Sequence, residues 1–220
     1  MPPTPTYCPG SIGARGCEIY PAKCSEEEPN FHERQLRPGE IEITRAIFGA
    51  GIDYQKVLVH NHGTPWFLGL QKAHTAVTPN GELYFLKEDY QCDFSKADDW
   101  RQQWFIHEMT HVWQYQLGYP IKAVGLIPQN RKYVLDKNKL ISEYNMEQQG
   151  DIIADYFYLK KLKKATAYNE PQYTQSDIPL YEKILKQFIS NPKEKSNLPP
   201  KGDEKTRAYI ENSRQGIYTN

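Results

Sequence analysis

The residues best equipped for chemistry lie mid-chain, in His107-Glu108-Met109-Thr110-His111. A spacing of four is about one helical turn, so on a helix the two imidazoles project from one face and can jointly hold a zinc ion. Glu108, rotated by about 100° from His107, leans over the same face without ligating and can accept a proton from a water there. Met109 and Thr110 bring no competing charge. The flanks are apolar, Trp104-Phe105-Ile106 before and Val112-Trp113 after. Two histidines and a glutamate in such a setting are costly unless partnered.

A hydrolytic zinc site takes three protein ligands and keeps one position open. Downstream, Glu143, Glu147, Asp151 and Asp155 are spaced four apart, a carboxylate ladder that repels itself on a helix and calls for positive charge. Glu147 has the small residues Gly150 and Ala154 beside it, which allow close approach to another helix, so Glu147 is the expected third ligand. Asp151, one turn on, is then placed to accept the second ring N–H of His107 or His111; the rival arrangement has Asp151 ligating. Glu143 and Asp155 are expected to be solvated or paired with Lys160, Lys161, Lys163 and Lys164. That basic run reads as a charged last helical turn. For a group to steady an oxyanion, Tyr119, Tyr144, His60 and His62 have the right chemistry, although the two histidines read more simply as surface turn residues.

These groups need elements to carry them. Pro38-Gly39-Glu40 leads into a short helix over residues 41–48, closed by Gly49 or Gly51. Residues 57–60 and 83–86 read as strands, the second after the Pro79-Asn80-Gly81 turn. As an edge, residues 83–86 would let an extended peptide pair beside the zinc helix. Asp98-Asp99 caps a helix over residues 100–117 that carries the His-Glu pentapeptide and stops at Gly118 and Pro120. A second helix starts near Ser142 or Asn145 and ends near Lys164. A third spans residues 178–189 with a stripe of Tyr181, Ile184, Leu185 and Phe188. The fold class is therefore α+β, a small N-terminal strand layer followed by a mainly helical half. Residues 1–35 form an irregular arm, 36–190 the domain, and 191–220 a loosely ordered polar tail.

Composition sets the limits. With 27 Lys+Arg against 27 Asp+Glu in 220 residues, the chain lacks the basic surplus that bulk binding to nucleic acid or anionic membrane requires. No window approaches the roughly 18 apolar residues of a membrane span, and the N-terminus has neither a basic nor an apolar signal region. Export, if it occurs, uses another route. Cys8, Cys17 and Cys24 sit among prolines in the arm, far from Cys92. None is spaced as a metal knuckle. Disulfides would suit an oxidising compartment and free thiols a reducing one, and the spacing does not choose among the three pairings.

The pentapeptide with Glu147-x-x-x-Asp151 resembles the gluzincin branch of zinc metallopeptidases. More narrowly, Leu36-Arg37-Pro38-Gly39-Glu40, Thr78-Pro79-Asn80-Gly81, residues 105–114 and Glu147-Gln148-Gln149 resemble metallopeptidases fused to, or encoded beside, type VI secretion spike proteins. The resemblance covers about residues 36–160. It implies a zincin-like fold with zinc on His107, His111 and Glu147, Glu108 as base, and peptide-bond hydrolysis by an antibacterial effector in a target cell's periplasm. The partners it implies are a secretion spike and an immunity protein. Two other classes fit the residues, a peptidoglycan amide hydrolase and a non-catalytic protein braced by zinc; the second has no need of Glu108.

Overall fold

A computed structural model describes residues 33–65 and 71–200. Helix α1 (Pro38–Phe48) begins three residues earlier than the apolar pattern alone suggests, because Pro38 at its first position supplies a helical φ. Its start is fixed by Glu40, whose Oε2 accepts from the Arg37 backbone N–H at 2.8 Å. Arg34 reaches the same buried carboxylate through Nη1 and Nη2, at 2.8 and 2.7 Å.

Four short strands form one sheet, in the order β1-β2-β4-β3. Strand β1 (Glu33–Gln35) pairs antiparallel with β2 (Leu58–His60), β2 runs parallel to β4 (Leu83–Phe85), and β3 (Ala76–Val77) pairs antiparallel with β4. Both strands expected from sequence are present. Strand β4 is interior, however, and not the edge. The two-residue β3 is too short to leave a periodic signal, yet it covers the outer side of β4 and becomes the edge itself. Strand β1 also lies within the last residues of the supposed irregular arm, while residues 1–32, with Cys8, Cys17 and Cys24, fall outside the described residues. Cys92 is disulfide-bonded.

Helix α2 (Asp99–Gln116) is capped by the Asp98 carboxylate, which accepts from Arg101 N, and its C-terminal turn is closed by Gly118 at φ +92°. An aromatic stack joins it to the sheet: the ring of Phe94 lies 4.5 Å from Phe85 and 4.9 Å from Phe105. After the short α3 (Ile121–Gly125) and an irregular run, helix α4 (Met146–Lys160) packs along α2. Asn145 caps α4 reciprocally with Gln148. Glu143 therefore stands outside the helix in a 3-10 turn, so the expected four-carboxylate ladder has three rungs on the helix.

The stripe Tyr181, Ile184, Leu185 and Phe188 is fully buried. The helix expected there is broken at Leu185 into α5 (Ile178–Ile184) and α6 (Lys186–Ser190), a bend that lets Phe188 meet Trp113 and Phe48 edge-on. Residues 191–200 belong to the fold and are not loose tail. Their backbone carbonyls accept from buried donors: Pro192 O from Trp113 Nε1 at 2.7 Å, Asn197 O from Gln149 Nε2 at 3.0 Å, and Pro200 O from Tyr119 Oη at 3.1 Å. A polar composition conceals this role because the acceptors are backbone carbonyls, with Leu198 adding a contact to the core. No described helix is long and apolar enough to cross a membrane.

Candidate metal centre

Helix α2 carries His107, Glu108 and His111 into the seam between α4 and the β3–β4 turn, where all three are buried. Gly150 makes the close helix approach possible: a Cβ there would come within 2.6 Å of His107 Cε1. The Nε2 atoms of His107 and His111 face each other at 3.1 Å. Glu147 brings Oε2 to 3.4 Å from His107 Nε2 and Oε1 to 3.6 Å from His111 Nε2. His107, His111 and Glu147 thus form a group able to hold a metal ion.

Each ring is held from behind. His107 Nδ1 lies 2.9 Å from Asp151 Oδ1, and a carboxylate there fixes the proton on Nδ1. His111 Nδ1 lies 2.9 Å from Gln114 Oε1. The Gln114 amide is oriented by its own donation, through Nε2, to Gln149 Oε1 at 3.0 Å and Met146 O at 3.2 Å, so its oxygen accepts and His111 donates. With Nδ1 held as the donor on each ring, it is Nε2 that faces inward and offers its lone pair once a metal displaces any proton there. Two N–H groups would collide at 3.1 Å. A tetrahedral ion with bonds of about 2.0–2.1 Å sets its ligands about 3.3–3.4 Å apart, which matches these separations, so the donors fit zinc in type and in spacing.

The electrostatics also favour a cation. Burial resists charge on both imidazoles, but Asp151 and Glu147 outweigh it and raise His107 to about 10. His111 is raised too, against its burial, chiefly by Glu147. In return, against its own burial, Glu147 is held far below the usual carboxylate range by the histidines. Asp151 is lowered by His107 and by Arg131, which grips it with Nη2 at 2.6 Å and Nε at 3.1 Å.

A cleft of about 140 Å³ opens on this cluster, lined by Thr78, Pro79, Ile121, Leu126, Arg131 and Met146 besides the ligand group and Glu108. None of the four expected oxyanion groups reaches it. Tyr119 donates to Pro200 O, and Tyr144 to Val134 O at 3.0 Å. His60 is not a surface turn residue: it is buried against Tyr84, rings parallel at 4.1 Å, with Nε2 2.9 Å from Glu82 Oε2. His62 packs against both rings. Nor is Asp155 solvated or paired with the lysines. It is buried among the donors Tyr133 Oη, Gln103 Nε2 and the Asn169 backbone and side chain, while Lys160 and Lys164 pair with Glu182 and Asp99. Three groups at the site are given no role by the sequence: Arg131, and Thr78 and Gln114, which stand there only inside the motifs that carry the resemblance. The first two lie outside the helices, and only Gln114, one turn beyond His111, left a spacing signal.

No family model matches the chain. Over 137 residues it is 39% identical to the type VI secretion system spike protein VgrG2b of Pseudomonas aeruginosa, a match covering 58% of this chain and 13% of that protein. The solved effector domain of P. aeruginosa VgrG2b superposes with a TM-score of 0.53 at 33% identity, covering 70% of this chain and 81% of the domain.

Proposed function

Since this chain belongs to the family of the VgrG2b effector domain, we propose that it is a zinc metallopeptidase acting as a type VI secretion effector. One observation carries the reading: two imidazole Nε2 atoms and a carboxylate converge at 3.1–3.6 Å with Glu108 beside them at the cleft. When bound, zinc supplies a Lewis acid that polarises a carbonyl and lowers the pKa of water to about 7. His107, His111 and Glu147 hold it. Asp151, braced by Arg131, fixes the ring of His107, and Gln114 fixes that of His111.

Glu108 takes the proton of the attacking water and returns it to the leaving amine. Arg131, more than half exposed, lines the cleft beside Lys122 and is a cation able to meet a substrate oxygen in place of the tyrosines and histidines. An extended peptide pairs with the edge strand β3, whose Ala76 and Val77 line the cleft. The names of the relatives support delivery by type VI secretion in association with a spike, and the proposed place of action is the oxidising periplasm of a target cell. The disulfide at Cys92 accords with that oxidising destination.

Zinc content and turnover on dye-labelled casein and on peptidoglycan sacculi, measured for wild type, Glu108→Ala and Glu147→Ala, test the reading. Glu108→Ala is expected to keep its zinc and lose at least about 100-fold in turnover, while Glu147→Ala weakens metal binding. Undiminished turnover in Glu108→Ala would sink the enzyme assignment. Unchanged zinc affinity in Glu147→Ala would move the third ligand elsewhere.

A further inference from the structure

We infer that Thr78 is the positioning residue for the base: its hydroxyl pins one oxygen of Glu108 so that the other faces the cleft. The inference rests on the hydrolase reading above and adds the group that aims its proton acceptor. Thr78 and Glu108 are each 4% exposed, and Thr78 Oγ1 donates to Glu108 Oε2 at 2.8 Å. Among the described residues this carboxylate makes no other hydrogen bond. The last torsion of a glutamate is broad and roughly two-fold, so without a donor its two oxygens exchange places. One fixed donor makes them inequivalent and leaves the second oxygen's lone pairs for the water.

Thr78 is itself held from two directions. Pro79 confines it to extended backbone, and it follows directly on β3. The turn then passes through Gly81 at φ +79°, where a Cβ would come within 2.5 Å of the Tyr115 ring. Tyr115 lies one turn beyond His111, so the turn rests on the helix that carries the base. On the sheet side, Glu82 Oε2 accepts from Asn80 Nδ2 at 3.0 Å and Tyr84 Oη at 2.9 Å, with His60 Nε2 at 2.9 Å. The buried His60 cluster, outside the cleft, therefore braces the turn that delivers the hydroxyl.

Three measurements on Thr78→Val, Thr78→Ser and Glu108→Ala test this. In kinetics on casein or sacculi, Thr78→Val is expected to lose about tenfold in kcat, a fraction of what a base contributes, with KM and zinc affinity within about twofold of wild type. Thr78→Ser, which keeps the hydroxyl, recovers most of the rate. In thermal unfolding of metal-free protein, Thr78→Val lowers the midpoint when Glu108 is present and has little effect in the Glu108→Ala background. Equal losses in both backgrounds, or a kcat unchanged in Thr78→Val, overturn the role of Thr78 while leaving the hydrolase intact. Absence of wild-type turnover on both substrates, or full turnover in Glu108→Ala, overturns the hydrolase reading and this inference with it.

Discussion

Replacing Gly150 by alanine tests whether the distance between α2 and α4 sets the metal centre. The added Cβ would lie 2.6 Å from His107 Cε1, 2.7 Å from Nδ1 and 3.0 Å from Nε2. Ordinary contact begins at 3.4 Å, so the ring must yield by about 0.8 Å. It has little room to do so, because Asp151 holds Nδ1 at 2.9 Å and Nε2 already faces His111 at 3.1 Å. Metal–ligand distances tolerate only about 0.2 Å. We therefore expect zinc affinity, measured by competition with a chelator of known affinity, to fall by at least the 10- to 100-fold typical of a lost outer partner. Metal-free stability shows a smaller change: overpacking costs about 1–3 kcal/mol, offset by about 1 kcal/mol from the better helix propensity of alanine. Wild-type zinc affinity in Gly150→Ala would refute the reasoning, since it would mean that the helices separate freely and that their approach is not what fixes His107.

Two further outcomes are expected. Gln114→Leu removes the acceptor of His111 Nδ1 and should weaken zinc binding about 10- to 100-fold in the same chelator competition; unchanged affinity would make the amide a packing residue only. Asp155→Asn turns an amide donor toward Tyr133 and Asn169 and should cost about 1–3 kcal/mol at pH 7 in urea unfolding. Burial raises the Asp155 carboxyl to about 6, against the pull of Tyr133 and the Asn169 N–H. The stabilisation from its proton is thus complete below about pH 4 and lost as the pH rises through 6, a slope that the variant should lack.

Much of what depended on periodic helices was legible in the sequence, but the break at Leu185 and the place of Glu143 outside α4 were not. The spacing of His107 and His111 placed them on one face, Asp98 capped the first of these helices, Asn145 was one of two candidate starts for the second, and Gly150 beside Glu147 implied a close approach. Groups whose role rests on contacts between distant segments were not legible. Arg131 belongs to a run without period, and nothing local ties it to Asp151, twenty residues on. Thr78 could be read as part of a turn but not as a partner of Glu108, because that bond depends on how the sheet lies against α2. The two-residue β3 was too short to register, so β4 was mistaken for an edge. His60 and Asp155, polar and near turns or lysines, were assigned to the surface, where in fact aromatic stacking and a ring of donors pay for their burial.

The carbonyls of residues 192–200 bear on where this folding unit stops. A boundary drawn at Ser190, after the last α-helix, would keep every long helix and strand yet strip Trp113, Gln149 and Tyr119 of the acceptors described above. Each buried donor left unmet costs about 1–3 kcal/mol, and three together rival the roughly 5–15 kcal/mol that holds a typical domain folded. Gln149 also orients Gln114, and through it His111, so shortening the chain there would loosen the metal centre from a distance. On this side the described fold is bounded by the solvation needs of its interior and not by its secondary structure. Any linker joining this domain to another has to begin beyond Pro200.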